Sequence, residues 1–373
     1  MLPSNPAQRI EALVRPSVRR LPLYDPGADP RQLGTPTVTK LSNCENPLGM
    51  SPAAAAVLAR QGGAGLERYP DPSARALRQL IGGQLEVDPA RIILGNGSEN
   101  ILELLCLALL DPLDRVVTQC PCFSLHESLP LMMGAQVDKV AFNHDFSVDL
   151  PAWATALRQP AKMLMLSTPC NPVGTALSAM ELSALVAATH PDTLLVIDEA
   201  YFEFVEDGAD ALAILGAQLR PWIILRTFSK AYGLAGLRIG YGIASHPSLI
   251  DALHRVRTPY NVNQPAQEAA KAAWLDQEHV ARSREFVAIE RQRLTEGLQA
   301  AGFRVAPSQA NFLFVDTACN ALEVVDELLK DGIIVKAWRE PGYTGFIRVS
   351  LGLAEQNQAF LTRLQRAVAT LAG

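Results

Sequence analysis

Arg226-Thr227-Phe228-Ser229-Lys230-Ala231-Tyr232-Gly233-Leu234-Ala235-Gly236-Leu237-Arg238 follows the apolar run Pro221-Trp222-Ile223-Ile224-Leu225. The run is short and partly β-branched, so it reads as a buried strand. The chain then turns polar, which places Ser229 and Lys230 just beyond the strand's carboxyl end. Eight positions after Lys230, Arg238 offers a planar fork suited to a phosphate. A lysine held at a fixed, partly desolvated point beside an anion site is what Schiff-base chemistry with an aldehyde cofactor requires.

Other strands end in the same way. Met163-Leu164-Met165-Leu166 runs into Ser167-Thr168-Pro169-Cys170-Asn171-Pro172-Val173-Gly174. Leu194-Leu195-Val196-Ile197 runs into Asp198-Glu199-Ala200-Tyr201. Arg91-Ile92-Ile93-Leu94 runs into Gly95-Asn96-Gly97-Ser98-Glu99-Asn100 and then a helical stretch, Ile101 to Leu110. In an open parallel sheet, ligands bind outside the carboxyl ends of the strands. Strand direction alone therefore predicts that Asn171, Asp198, Tyr201, Lys230 and the turn at Gly95–Ser98 meet in one crevice. A carboxylate directly after a buried strand is costly unless paired, and a protonated pyridine nitrogen would pair with Asp198. Asn171 and Tyr201 are donors fit for a ring oxygen. The N–H groups of Gly97 and Ser98, opening a helix, can hold a phosphate. Together these describe a site for pyridoxal 5′-phosphate (PLP).

On these motifs the chain resembles the fold-type I PLP-dependent aminotransferases, and within them the histidinol-phosphate aminotransferase group. The resemblance extends to Leu21-Pro22-Leu23-Tyr24-Asp25-Pro26-Gly27, Asn43-Cys44-Glu45-Asn46-Pro47-Leu48-Gly49, Arg68-Tyr69-Pro70, Pro121-Cys122-Phe123 and Ile347-Arg348-Val349. It implies Lys230 as the Schiff-base lysine and proton carrier, with Asp198 on the pyridine nitrogen and Asn171 and Tyr201 on the ring oxygen. It implies Phe123, where the group usually has tyrosine, as the ring that stacks on the cofactor. Gly97, Ser98, Glu99 (through its backbone), Ser229 and Arg238 are the implied phosphate ligands. Tyr69 is implied to reach the cofactor phosphate of a second subunit, which makes the expected active unit a homodimer. Tyr24, Asn46, Lys336 and Arg348 are the implied substrate contacts.

The implied reaction takes an amino group from L-histidinol phosphate to 2-oxoglutarate. Lys336, however, stands where the group typically has arginine, so the bidentate fork is absent. An aromatic amino-acid aminotransferase and a threonine-phosphate decarboxylase stay open, as does a non-catalytic PLP-binding sensor.

The expected fold is α/β, a large unit with a mostly parallel sheet flanked by helices, plus a smaller α+β unit. We expect residues 1–45 to form an N-terminal arm and part of the small domain, residues 46–275 the large domain, and residues 276–373 the C-terminal small domain. A chain of 373 residues, 49% apolar and 19% charged, has an ordinary globular balance. A net charge of −5 argues against a nucleic-acid surface. The loose basic segment at Arg9, Arg15, Arg19 and Arg20 lacks an apolar core and does not read as a secretory signal. Ile101 to Leu110 is too short to span a bilayer. Cys44, Cys106, Cys120, Cys122, Cys170 and Cys319 read as reduced thiols of a cytoplasmic protein, and no paired histidines accompany them for a metal. His126 reads as structural.

Overall fold

A computed structural model describes residues 5–23, 28 and 38–372. Two short helices, Pro6–Leu13 and Pro16–Arg19, precede a two-residue strand, β1 (Thr39–Lys40). The chain then builds a seven-stranded sheet from β2 (Ile92–Gly95), β3 (Arg115–Cys120), β4 (Gln136–Ala141), β5 (Met163–Ser167), β6 (Leu194–Asp198), β7 (Trp222–Thr227) and β8 (Gly240–Ala244). The strand order is β2-β8-β7-β6-β5-β3-β4. Every pairing is parallel except those of β8, which runs against both β2 and β7. Two reversals leave β2 pointing the same way as β7, so its glycine turn reaches the same rim as Asp198 and Lys230.

Successive side chains of a strand face opposite ways, and the apolar runs divide accordingly. Leu164, Leu166, Leu195, Ile197, Trp222 and Ile224 join one core with Leu77, Ile81, Leu182 and Leu185 from helices on that face. Met163, Met165, Leu194, Val196, Ile223 and Leu225 join a second core with Ile101, Leu105 and Leu253 on the other. A strand covered on both faces must be apolar at every position, which is why these runs show no alternation in sequence. Each such Leu or Ile contributes about 1.5–3 kcal/mol by leaving water.

Beyond the long helix Gln277–Ala300 comes a smaller antiparallel sheet of β9 (Arg304–Val305), β10 (Phe312–Asp316), β12 (Lys336–Ala337) and β13 (Phe346–Ser350). The helices Ala321–Lys330 and Ala354–Ala372 accompany it. Strand β11 (Ile333–Ile334) pairs instead with β1, in parallel.

Among the boundaries that differ from the sequence reading, those of β7 and β2 have a clear local reason. β7 continues two residues past Leu225, because Arg226 and Thr227 pair with Tyr241 and Gly240. Arg226 tolerates that burial because its Nε donates to Glu199 Oε2 at 2.8 Å. β2 starts at Ile92 rather than Arg91, which closes a 3₁₀ turn and donates to Ala244 O. The helix Arg75–Leu85 starts where it does because Asp71 accepts from the backbones of Ser73 and Arg75 and holds the preceding turn.

Candidate active site

The strand ends converge. A cavity of about 400 Å³ is lined by Asn171, Asp198, Tyr201, Ser229, Lys230, Arg238, Gly97, Ser98, Glu99, Phe123 and Arg348. Most candidate residues drawn from different strands therefore share one crevice.

One wall is built to receive an anion. The helix Ser98–Leu109 has Gly97 at its N-cap and no side-chain cap, so its first N–H groups lack an intrahelical partner. Arg238 stands beside it, 3.5 Å from Ser229 Oγ through Nη1 and paired through Nη2 with the Glu99 carboxylate. Gly97 has φ +82°, and a Cβ there would lie 2.5 Å from Arg238 Nη2. A Cβ on Gly240 would lie 2.4 Å from Ser98 N. Glycine at both positions lets the helix start, β8 and the guanidinium close on one point.

Asp198 ends β6 and is buried. Its Oδ1 accepts from Ala200 N at 3.1 Å, and its Oδ2 lies 3.2 Å from His126 Nε2. His126 is fully buried, and its ring meets Phe123 edge-on at 5.8 Å. The structural reading of His126 therefore needs extending, because among the described residues its ring's polar contact is the crevice carboxylate. Its position three residues after Phe123 at a helix start was the available signal, since that spacing puts two side chains on one face.

Lys230 Nζ donates to Asn43 O at 2.9 Å and lies 5.5 Å from the Tyr201 ring. Burial pulls its ammonium below the ordinary lysine pKa. The Cys44 and Glu45 charges oppose that shift, while Arg348 and Arg238 add to it. An amine so placed loses its proton more readily than a solvated lysine, as a nucleophile must. Burial likewise pushes the Tyr201 hydroxyl well above its ordinary value, so it is a neutral donor.

Arg348 comes from β13 of the smaller sheet and reaches back to this rim. Its Nη1 donates to Asn171 Oδ1 at 2.6 Å, and its Nη2 donates to Ser42 O. Its Nε is buried without a hydrogen-bond partner among the described residues. A buried, orphaned cationic donor fits an anion that arrives with a ligand. Asn171, with its oxygen engaged, has its Nδ2 left to donate.

Three expected positions stand outside the crevice. Asn46 is not among the residues lining the cavity and braces a loop. Its Nδ2 donates to Ala231 O and Ser283 Oγ, which uses both amide hydrogens, and its Oδ1 accepts from Leu48 N. Its neighbours Asn43 and Glu45 line the crevice instead. Lys336 pairs with Arg348 across the β12–β13 ladder and is not among the residues lining the cavity. Tyr69 is 80% exposed, stacks on Tyr260 at 4.4 Å and stands away from its own chain's crevice. Tyr24 lies outside the described residues.

All six cysteines are free, and burial raises the thiol pKa of Cys106, Cys120, Cys122 and Cys170. No helix among the described residues is long and apolar enough to cross a membrane.

Comparison with known proteins points the same way. The profile of the family described as aminotransferase class I and II matches residues 36–364. Histidinol-phosphate aminotransferase 3 of Rhizobium meliloti is 45% identical over 331 residues, 88% of this chain and 89% of that protein. Histidinol-phosphate aminotransferase 1 of Mesorhizobium japonicum is 46% identical over 332 residues, covering 88% and 90% of the two chains. The crystal structure of histidinol-phosphate aminotransferase from Sinorhizobium meliloti in complex with pyridoxal 5′-phosphate superposes with a TM-score of 0.87 at 28% identity. That superposition covers 95% of this chain and 97% of the other.

Proposed function

The chain belongs to the aminotransferase class I and II family and is a transaminase, and from that premise we propose that it transfers the amino group of L-histidinol phosphate to 2-oxoglutarate with PLP as cofactor. The observation that carries this reading is the amine of Lys230 in one cavity wall with two guanidiniums, Arg238 and Arg348. One guanidinium serves the cofactor's phosphate and the other the anion of the substrate.

The residues present fit the cofactor. The uncapped helix start at Gly97–Ser98–Glu99, with Ser229 and Arg238, holds a phosphate. Asp198, held by His126, would pair with the cofactor's cationic ring nitrogen. Asn171 Nδ2 and the Tyr201 hydroxyl would donate to its ring oxygen, and Phe123 would pack on the ring. Bound there, PLP supplies an electron sink for the carbanion left at the donor's α-carbon. Lys230 Nζ would take the proton from that carbon and deliver it to the carbon that bore the cofactor's aldehyde, the 1,3-shift that amino transfer needs. Arg348 fixes the anionic end of the donor so that the α-carbon faces Nζ.

An amino-donor panel with 2-oxoglutarate tests the substrate. Histidinol phosphate should give the highest kcat/KM, ahead of phenylalanine and tyrosine, and threonine phosphate should release no carbon dioxide. Arg348→Ala should raise KM for histidinol phosphate about 10- to 100-fold with cofactor occupancy retained, the scale of a charge-assisted hydrogen bond. Faster turnover of an aromatic amino acid would reassign the substrate, and no transfer from any donor would leave a binding protein.

We further divide the chain as residues 1–45, 46–275 and 276–373 (arm, large domain, small domain), and place it in the cytoplasm as a homodimer. Support for the dimer is Tyr69, which projects from the surface on Tyr260 and serves no group of its own crevice. If Tyr69 reaches a partner's cofactor phosphate, a hybrid of one Lys230→Ala chain and one Tyr69→Ala chain regains one complete site. Subunit exchange between the two parents should then restore activity toward one site per hybrid dimer. Verified hybrids no more active than the Tyr69→Ala parent would remove the crossing.

A further inference from the structure

The two sheets meet at a seam that none of the chemistry above uses. Phe146, Cys170 and Val173, from loops of the larger sheet, form a separate core with Ala306, Phe314 and Phe346 of the smaller one. The Phe314 and Phe346 rings stack at 4.7 Å, and Phe146 meets Phe346 edge-on at 5.9 Å. Aromatic packing of this kind holds the sheets together but lets rings slide. A polar cluster at the edge of the seam is more specific.

Glu340 lies in the segment joining β12 to β13. Its Oε2 accepts from Trp338 Nε1 at 2.7 Å and from Cys122 N at 3.3 Å. Its Oε1 accepts from Lys139 Nζ at 2.9 Å. Lys139, on β4, also donates to Glu127 Oε2 at 3.0 Å. From the same segment, the Tyr343 hydroxyl donates to Cys120 O at 3.2 Å. The smaller sheet thus grips the corner after β3 at both Cys120 and Cys122. The next residue is Phe123, a wall of the crevice, and three further on is His126, which holds Asp198. On the other side, Glu340 is six residues from the start of β13, which carries Arg348.

Cys122, Glu127 and Glu340 come close enough together to resemble a metal centre. The cluster already has its cation, because the Lys139 ammonium bonds both carboxylates. Burial alone would lower that ammonium's pKa, but the Glu340 and Glu127 carboxylates outweigh it and hold it above the ordinary value. Burial also keeps Cys122 a thiol. The cluster is a charged clamp, and one carboxylate joins three separate stretches of chain.

We propose that Glu340 is a positioning residue: through Cys122 N and Lys139 it fixes the Phe123–His126 corner to the sheet that carries Arg348. The wall of the crevice and the substrate's arginine then keep a set separation. The kinetic consequence rests on the transaminase reading, whereas the clamp itself does not.

Glu340→Gln preserves shape but leaves one acceptor oxygen for donors that now use two. Its amide then faces either the Lys139 ammonium or an N–H, donor against donor. In the cofactor-loaded enzyme, hydrogen exchange should quicken about tenfold or more in both 119–127 and 338–345, with β5, β6 and β7 unchanged, for a loss of about 1.4 kcal/mol of local protection. KM for histidinol phosphate should rise about tenfold with kcat changed less than about threefold. Lys139→Met should do the same, and the double variant should be no worse than the worse single, because both act through one contact. Unchanged exchange in 119–127, a kcat loss with KM intact, or multiplying KM effects in the double variant would each overturn the proposal. If the wild-type enzyme uses no donor on the panel, the substrate reading fails by itself. Exchange, together with the visible circular dichroism of the bound PLP, which reads the ring wall, then decides the role of Glu340.

Discussion

Lys230→Ala should yield a protein with no covalently fixed cofactor and an amino-transfer rate lower by at least about 10⁴-fold, the upper end of what a positioned general base contributes. The size follows from the residue's two duties. It anchors the cofactor, and it moves the proton at the donor's α-carbon. No other lysine is part of the crevice wall. Borohydride reduction of the wild-type protein, followed by peptide mass spectrometry, should place the cofactor mass on Lys230 alone. A cofactor found on Lys40 or any other lysine would end the assignment.

Asp198→Asn should lower the rate by at least about 10²-fold, the scale of losing a major electrostatic contributor, while the protein still takes up PLP. The carboxylate is buried, and its partners within the protein are Ala200 N and His126. Removing its charge leaves that contact geometry almost intact and takes away only the pairing with a cationic ring nitrogen. Cofactor binding should survive because the phosphate is held elsewhere, at the Ser98 helix start and Arg238. Steady-state rates beside a titration of cofactor absorbance check both halves. A variant working at near wild-type rate would remove the role from Asp198.

The sequence disclosed the large sheet and the crevice well because one rule covers both. Apolar runs buried on two faces are conspicuous, and ligands gather where such strands end. Asp198 directly follows such a run, and Asn171, Tyr201 and Lys230 come within five residues of the end of theirs. Less legible was whatever depends on contact between distant segments. Nothing in Asn46 itself tells that Ala231 and Ser283 consume its amide. β8 reads as one more strand of an alternating series, and its antiparallel direction depends on the short link from β7. The clamp at Glu340 joins residues about two hundred positions apart through charges that, read singly, look like solvated surface. The aromatic seam is hidden in the same way, because Phe146 gives no local sign of facing Phe346.

The pairing of β1 with β11 has a consequence for how the chain is made. Thr39 lies opposite Ile333 and Lys40 opposite Ile334, and Leu41 accepts from Ser350 N. At roughly 5–20 residues per second, the ribosome delivers β11 about 15–60 s after β1 has emerged. During that interval the nascent chain carries an N-terminal segment whose backbone has no ladder to join, while the seven-stranded sheet already has all its strands. An open edge of that kind invites pairing with other chains. Synthesis of β11 and β13, rather than completion of the large sheet, is then the moment at which Asn43, Lys230 and Arg348 first assemble, and the enzyme acquires its activity only once β1 has met strands made some three hundred residues later.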